Sequence, residues 1–209
     1  MSLGLSARCG RLCLVPVLLL SSCAHVPKRA PLPEEGLEQA SVLGIPRVRM
    51  WGDAPPAWEH QWMERSSGDL KARYPGVYGK THIYLAISGG GENGAFAAGL
   101  LAGWTQSGER PEFSVVTGVS AGALVAPFAF LGPEYDDVLA LVSAGLEAKD
   151  VFKKRRLLRA IRTDAMASTE PLQSLIAKYV DQEVMERIAA EYRKGRGLNI
   201  GTTNLDAMR

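Results

Sequence analysis

Leu85-Ala86-Ile87-Ser88-Gly89-Gly90-Gly91-Glu92-Asn93-Gly94 is followed, at the roughly 30-residue distance of one βαβ unit, by Gly118-Val119-Ser120-Ala121-Gly122. The reading of the chain starts from this pair. Residues 81–88 are short, rich in β-branched and aromatic side chains and bounded by turn formers, which predicts a buried strand. Residues 95–107 carry Phe96, Leu100, Leu101 and Trp104 at helical spacing with small residues between them, which predicts a helix packed closely on a sheet. A second strand is expected over 113–117 and a second helix over 121–131, stopping before Pro133. With a right-handed crossover, both glycine-containing loops then lie at the carboxyl edge of neighbouring parallel strands.

That placement has chemical consequences. A serine hydroxyl is a weak nucleophile until its proton is taken, and a strained strand-to-helix turn lifts its oxygen clear of the backbone. Gly118 and Gly122 lack the Cβ atoms that would collide where strand and helix pass, and Ala121 adds little bulk. The helix opening at Ala121 turns free amides toward the serine, and the glycine loop supplies more from one strand away. Such donors are worth about 3 to 4 kcal/mol each in the transition state of acyl transfer.

Other readings of the glycine loop fit less well. Gly89, Gly91 and Gly94 satisfy G-x-G-x-x-G, but a dinucleotide site wants an acidic residue at the end of the next strand, and that strand ends in Thr117-Gly118, with Glu112 at its beginning. A P-loop would need Lys and Ser or Thr after the last glycine, where this chain has Ala95. A tight turn chosen for packing alone does not account for the serine elbow that follows.

The three histidines, His25, His60 and His82, all precede Ser120. The Ser, acid, His order of an α/β-hydrolase is therefore excluded, and a serine served by an aspartate is indicated. In this combination the chain resembles the patatin-like phospholipases, over roughly residues 84–208. The resemblance implies a three-layer α/β/α sandwich with a mainly parallel sheet, acting on carboxyl esters of lipids with neither metal nor cofactor. It implies Ser120 as nucleophile, the amides of Gly89, Gly90 and Gly91 as oxyanion hole, and Gly94, Gly118 and Gly122 as motif glycines. The chain departs from the family in two places. Asn93 stands where many members carry Arg or Lys, and no Asp-Gly-Gly or Asp-Gly-Ala motif for the catalytic aspartate is present.

Asp206 is the nearest candidate base. It is followed by Ala207-Met208 and not by glycine, and reads as a turn residue just past a strand expected over 198–204. The sequence ends at Arg209 with no terminal helix or capping signal. The expectation is an incomplete domain, and residues 1–209 expressed as they stand are expected to be aggregation-prone and without esterase activity.

At the amino end, Arg8 and Arg11 precede a short apolar run over 12–20, and Leu20-Ser21-Ser22-Cys23 resembles a bacterial lipobox. The run is too short to span a bilayer. Residues 1–22 are read as a lipoprotein signal peptide, Cys23 as the lipidated first residue of the mature chain, residues 23–79 as anchor and proline-rich tether or partly ordered extension, and residues 80–209 as the acyl hydrolase domain. Ala24 is not the aspartate that resembles an inner-membrane retention signal, so the outer membrane, facing the periplasm, is the expected location.

Removing the signal takes two arginines and no acid, so the 24 basic residues fall to match the 22 acidic ones. A near-neutral chain carries no nucleic-acid footprint. Membrane lipids are the expected partners, as substrate and as anchor, and no protein partner is indicated. The basic amphipathic run over 150–162 is read as a solvated helix face, with anionic headgroups as the alternative ligand. Trp58 and Trp62, four apart, are read as packing on the domain. Helices are expected after Thr169 and over 181–194, the second ended by Gly195 and Gly197. The alternative function is a membrane-anchored lipoprotein that keeps this fold as a lipid-binding or scaffold module without turnover.

Overall fold

Strand, glycine turn and helix follow one another twice before the sheet receives its third strand. The chain runs through α1 (His60–Met63), α2 (Ser67–Arg73), β1 (Tyr84–Ile87), α3 (Gly94–Gln106), β2 (Val115–Val119), α4 (Ala121–Leu131) and α5 (Asp136–Ser143). It continues through β3 (Lys153–Lys154), β4 (Ala167–Ser168), α6 (Glu170–Tyr179), α7 (Gln182–Arg193) and β5 (Gly197–Gly201). This computed structural model describes residues 33, 36, 45, 47–56, 58–144, 153–154 and 167–204. Cys23 with its signal segment, most of the basic run and Asp206 lie outside the described residues.

The strands β1, β2 and β5 form one parallel sheet in the order β1-β2-β5, with Ile87 opposite Gly118 and Val119 opposite Gly201. The expected α/β architecture with a mainly parallel sheet is therefore present. Parallel strands need long crossovers, and helices supply them, α3 between β1 and β2 and the run from α4 to α7 between β2 and β5. Phe113, Val116, Val125, Phe130 and Leu139 are fully buried and centre the core on β2, α4 and α5. Each such side chain stabilises the fold by about 1.5 to 3 kcal/mol through burial. Trp104 closes one side, edge-on to Phe113 at 5.9 Å between ring centres.

Several expectations need correcting. The face of α3 that packs is Gly94, Ala98 and Leu101, whereas Phe96 is 74% and Leu100 56% exposed. At its start α3 lies tight against α4, where a Cβ at Gly94 would stand 2.7 Å from the Ala121 Cβ, so a small residue faces inward there. Trp62 is 52% exposed and not packed on the domain. Strand β2 runs on to Val119, two residues beyond the expected end, so it delivers Ser120 directly from the sheet. Gly197 opens β5 instead of ending α7; Gly195, at φ +102, does the ending. Within the basic run, Lys153–Lys154 pair with Ala167–Ser168 as a short antiparallel ladder, so the described part of it is strand and not helix. The short helices α1 and α2 lie in the region read as tether or partly ordered extension, and α2 begins on a Ser66 cap whose Oγ accepts from Asp69 N at 3.1 Å.

Candidate active site

All three parallel strands end at the same edge, and the two loops singled out by sequence meet there. Ile87 and Val119 are the last residues of β1 and β2, so Ser88 and Ser120 leave the sheet side by side. The turn at Ser120 is strained, with φ 53 and ψ −121, a conformation that a side-chain-bearing residue adopts at a cost. Its hydroxyl makes no capping bond to α4 and remains exposed. The strain persists because the surrounding packing permits nothing else. A Cβ at Gly122 would overlap the Ile87 carbonyl oxygen and reach the Ser88 carbonyl at 2.8 Å; one at Gly118 would overlap the Gly122 carbonyl and stand 2.7 Å from the Ala126 Cβ. Helix α4 thus crosses the ends of β1 and β2 at backbone contact. Its first amides, those of Ala121 and Gly122, open beside the serine, while Ala123 N donates to Ser120 O at 2.9 Å.

The glycine loop lies against that turn. A Cβ at Gly89 would stand 2.8 Å from the Ser120 Cβ and 3.4 Å from its Oγ, so only a glycine backbone approaches the hydroxyl this closely. Gly90 and Gly91 follow with φ +156 and +56, reversing the chain into the single 3-10 turn Gly91–Asn93 that leads into α3. Asn93 N donates to Gly90 O at 3.0 Å, so this amide is engaged within the loop. Among the described residues no hydrogen bond engages the amides of Gly89, Gly90 or Gly91. Gly94, the last motif glycine, is buried where a Cβ would meet the Ala121 Cβ at 2.7 Å. Ser120, Gly89, Gly90, Gly91, Gly94, Gly118 and Gly122 are therefore one contiguous cluster.

Beside the loop a hollow of about 510 Å³ runs between β1 and α3, with Ser88, Gly89 and Asn93 at one end and Phe96, Leu100 and Trp104 along it. None of the described residues lining it carries a charge. Among the described residues no hydrogen bond engages the Ser120 hydroxyl. His82 precedes β1 at the opposite edge, where Ser114 N donates to Ile83 O at 2.8 Å. A strand's length, about 17 to 20 Å at 3.3 Å per residue, separates it from the serine. Strand β5 ends at Gly201 opposite Val119, so the chain that continues toward position 206 departs from the serine's edge of the sheet. Among the described residues no group of three or more His, Cys, Asp or Glu is placed to hold a metal ion.

Two buried cations went unnoticed in the sequence. The Arg110 side chain is 2% exposed and pairs with Asp136 at 2.6 Å; that of Arg196 is 6% exposed and pairs with Glu191 at 2.9 Å. Arg196 also donates from Nε to Phe113 O and from Nη2 to Phe130 O, and stacks 4.5 Å from the centre of the Phe130 ring. Burial pushes the Glu191 carboxyl up, but hydrogen bonds from Lys194 and Arg196 outweigh it and hold the group below its ordinary value. The available signal was an arginine between Gly195 and Gly197 at the start of an apolar strand, where a solvated cation has no place.

A family model described as Patatin-like phospholipase matches residues 85–208, a span that contains both loops. No curated protein and no solved structure gives a match.

Proposed function

The chain belongs to the patatin-like phospholipase family, and on that premise we propose a serine-dependent acyl hydrolase that cleaves carboxyl esters of phospholipids or related lipids. The observation that carries the reading is the contact of the Gly89 backbone with the strained Ser120 turn, which puts unengaged amides beside an exposed hydroxyl. In the first step Ser120 Oγ bonds to the ester carbonyl carbon as its proton passes to a base. The carbonyl oxygen becomes an oxyanion, held by the amides of Gly89, Gly90 and Gly91. The alcohol then leaves with a proton, and water attacks the acyl-serine in the second step and releases the fatty acid. The uncharged hollow beside the loop suits an acyl chain better than a headgroup.

A fluorophosphonate, which bonds its phosphorus to an activated serine oxygen with loss of fluoride, tests the assignment. Labelling of the full-length wild type and none of its Ser120→Ala variant is expected; equal labelling of both would remove Ser120 from the reaction. Ester hydrolysis by Asp206→Asn beside the wild type then decides the base. Ser120-dependent turnover that disappears in the variant assigns that role to Asp206.

The anchor is a separate part of the proposal, supported by the lipobox-like Leu20-Ser21-Ser22-Cys23. In a Gram-negative host the wild type is expected to incorporate labelled fatty acid and to fractionate with the outer membrane, and Cys23→Ser to do neither. Soluble, unlabelled wild-type protein would overturn it. Among the described residues no helix is long and apolar enough to cross a membrane.

A further inference from the structure

Each half of the proposed site opens a helix, the glycine loop α3 and Ser120 α4. The distance from oxyanion amides to nucleophile is therefore set by how these two helices are held to each other. At the near end they touch through Gly94 and Ala121. At the far end one guanidinium holds both: Arg110 Nη1 donates to Thr105 Oγ1 at 3.1 Å, in the last turn of α3, and Arg110 Nη2 to Ala129 O at 3.2 Å, near the end of α4. The same Nη1 meets Asp136 Oδ1 at 2.6 Å, at the start of α5.

We propose that Arg110 is a positioning residue: by tying the far ends of α3 and α4 together it keeps the oxyanion amides in register with Ser120, an inference that rests on the acyl hydrolase reading above.

Three features make the tie effective. The guanidinium is buried, and a buried cation without its partners is strongly unfavourable, so Thr105, Ala129 and Asp136 are held as a unit. Its planar fork reaches three acceptors at once, which a lysine ammonium at the end of a flexible stem does not reproduce. Pro127 lies inside α4 and has no N–H for the Ala123 carbonyl, so the two halves of this helix are tied less firmly and its carboxyl end depends on outside donors. Arg110 supplies one to Ala129 and Arg196 one to Phe130. Arg196 makes no hydrogen bond to α3, which provides the internal control. Helix α3 has 13 residues and is about 20 Å long, so a small rotation at Thr105 is carried to the loop at its other end. A displacement of about 1 Å at a reacting centre costs about 10²-fold in rate.

The test compares the full-length protein with its Thr105→Val, Arg110→Lys and Arg196→Lys variants. Amide hydrogen exchange over residues 97–101 of α3 is read alongside kcat and KM for p-nitrophenyl butyrate. In Thr105→Val and Arg110→Lys, exchange in this segment is expected to rise about tenfold and kcat to fall three- to tenfold, with KM within twofold. Arg196→Lys is expected to lower Tm yet leave both exchange over 97–101 and kcat at wild-type values. Unchanged exchange in Thr105→Val and Arg110→Lys, or an equal rise in Arg196→Lys, would overturn the coupling. If the wild type turns over no ester, the hydrolase reading fails while the exchange comparison still decides whether Arg110 ties the helices.

Discussion

The serine turn and the glycine loop meet at one point but are held in place by different means. Ser120 sits in a positive-φ conformation because backbone packs against backbone around it, with no space for a Cβ at Gly118 or Gly122 and seven of the eleven residues of α4 buried beneath it. The glycine loop is exposed, a Cβ at Gly91 would meet nothing within 4 Å, and the helix behind it turns Phe96 and Leu100 outward. The serine turn is thus held by the core, and the conformation of the glycine loop by its own backbone, while the helices that the two open set the spacing between them. Damage to the first is expected to appear as lost stability, and damage to the second as lost turnover in a folded protein.

The sharpest break in this contrast is Gly122→Ala. The added methyl overlaps the Ile87 carbonyl, and backbone has little freedom to yield, so a loss of about 3 kcal/mol, the upper end for overpacking, is expected in urea unfolding. A loss under about 0.5 kcal/mol would show that α4 stands farther from β1 than described. Gly90→Ala tests the other side. Its φ of +156 and the Asn93 Cβ at 3.2 Å strain any side chain, so the amide is expected to turn away and kcat to fall by roughly 10²-fold, with KM nearly unchanged and stability reduced far less than by Gly122→Ala. Equal kcat in variant and wild type would take Gly90 out of the oxyanion hole.

The smallest effect is expected from Glu191→Gln, at the far end of the support beneath Ser120. The folded carboxyl titrates below its ordinary 4.5, so its ionised form contributes stability that is present above that value and is lost as pH falls through the lower folded one. The wild-type Tm should therefore decline as pH drops below about 4.5. The variant should show a shallower decline and a Tm a few degrees lower at neutral pH, with kcat per folded molecule unchanged. An unaltered slope would mean that the pair with Arg196 contributes nothing to the fold.

Much of the site could be read from the sequence because its determinants are local. A strand of β-branched residues, glycines where the chain must reverse, and Gly-x-Ser-x-Gly between strand and helix each fix the backbone within a few residues, and α4 was placed at 121–131 as found. Helical spacing marks Phe96, Leu100, Leu101 and Trp104 as one apolar stripe, of which Leu101 is buried and Trp104 packs on the core while Phe96 and Leu100 are exposed, because the inward face depends on what packs against it. Close contact with α4 and α5 selects Gly94 and Ala98, residues that hydrophobic periodicity undervalues. Arg110 and Arg196 were missed because a buried cation carries no periodic signal, and apart from Thr105 and Glu191, five positions away, their partners lie 19 to 83 positions away.

The sequence by itself determined that this chain makes a βαβ unit with a serine elbow and a glycine loop at one sheet edge, because torsional preference and side-chain size act over a few bonds. Only the tertiary structure decided that Gly89 comes to rest against Ser120, that α3 presents Gly94 and Ala98 to its neighbours, and that two buried guanidiniums hold the far end of α4. These are contacts between segments distant in sequence, and their energies arise only when close packing removes water from both partners at once.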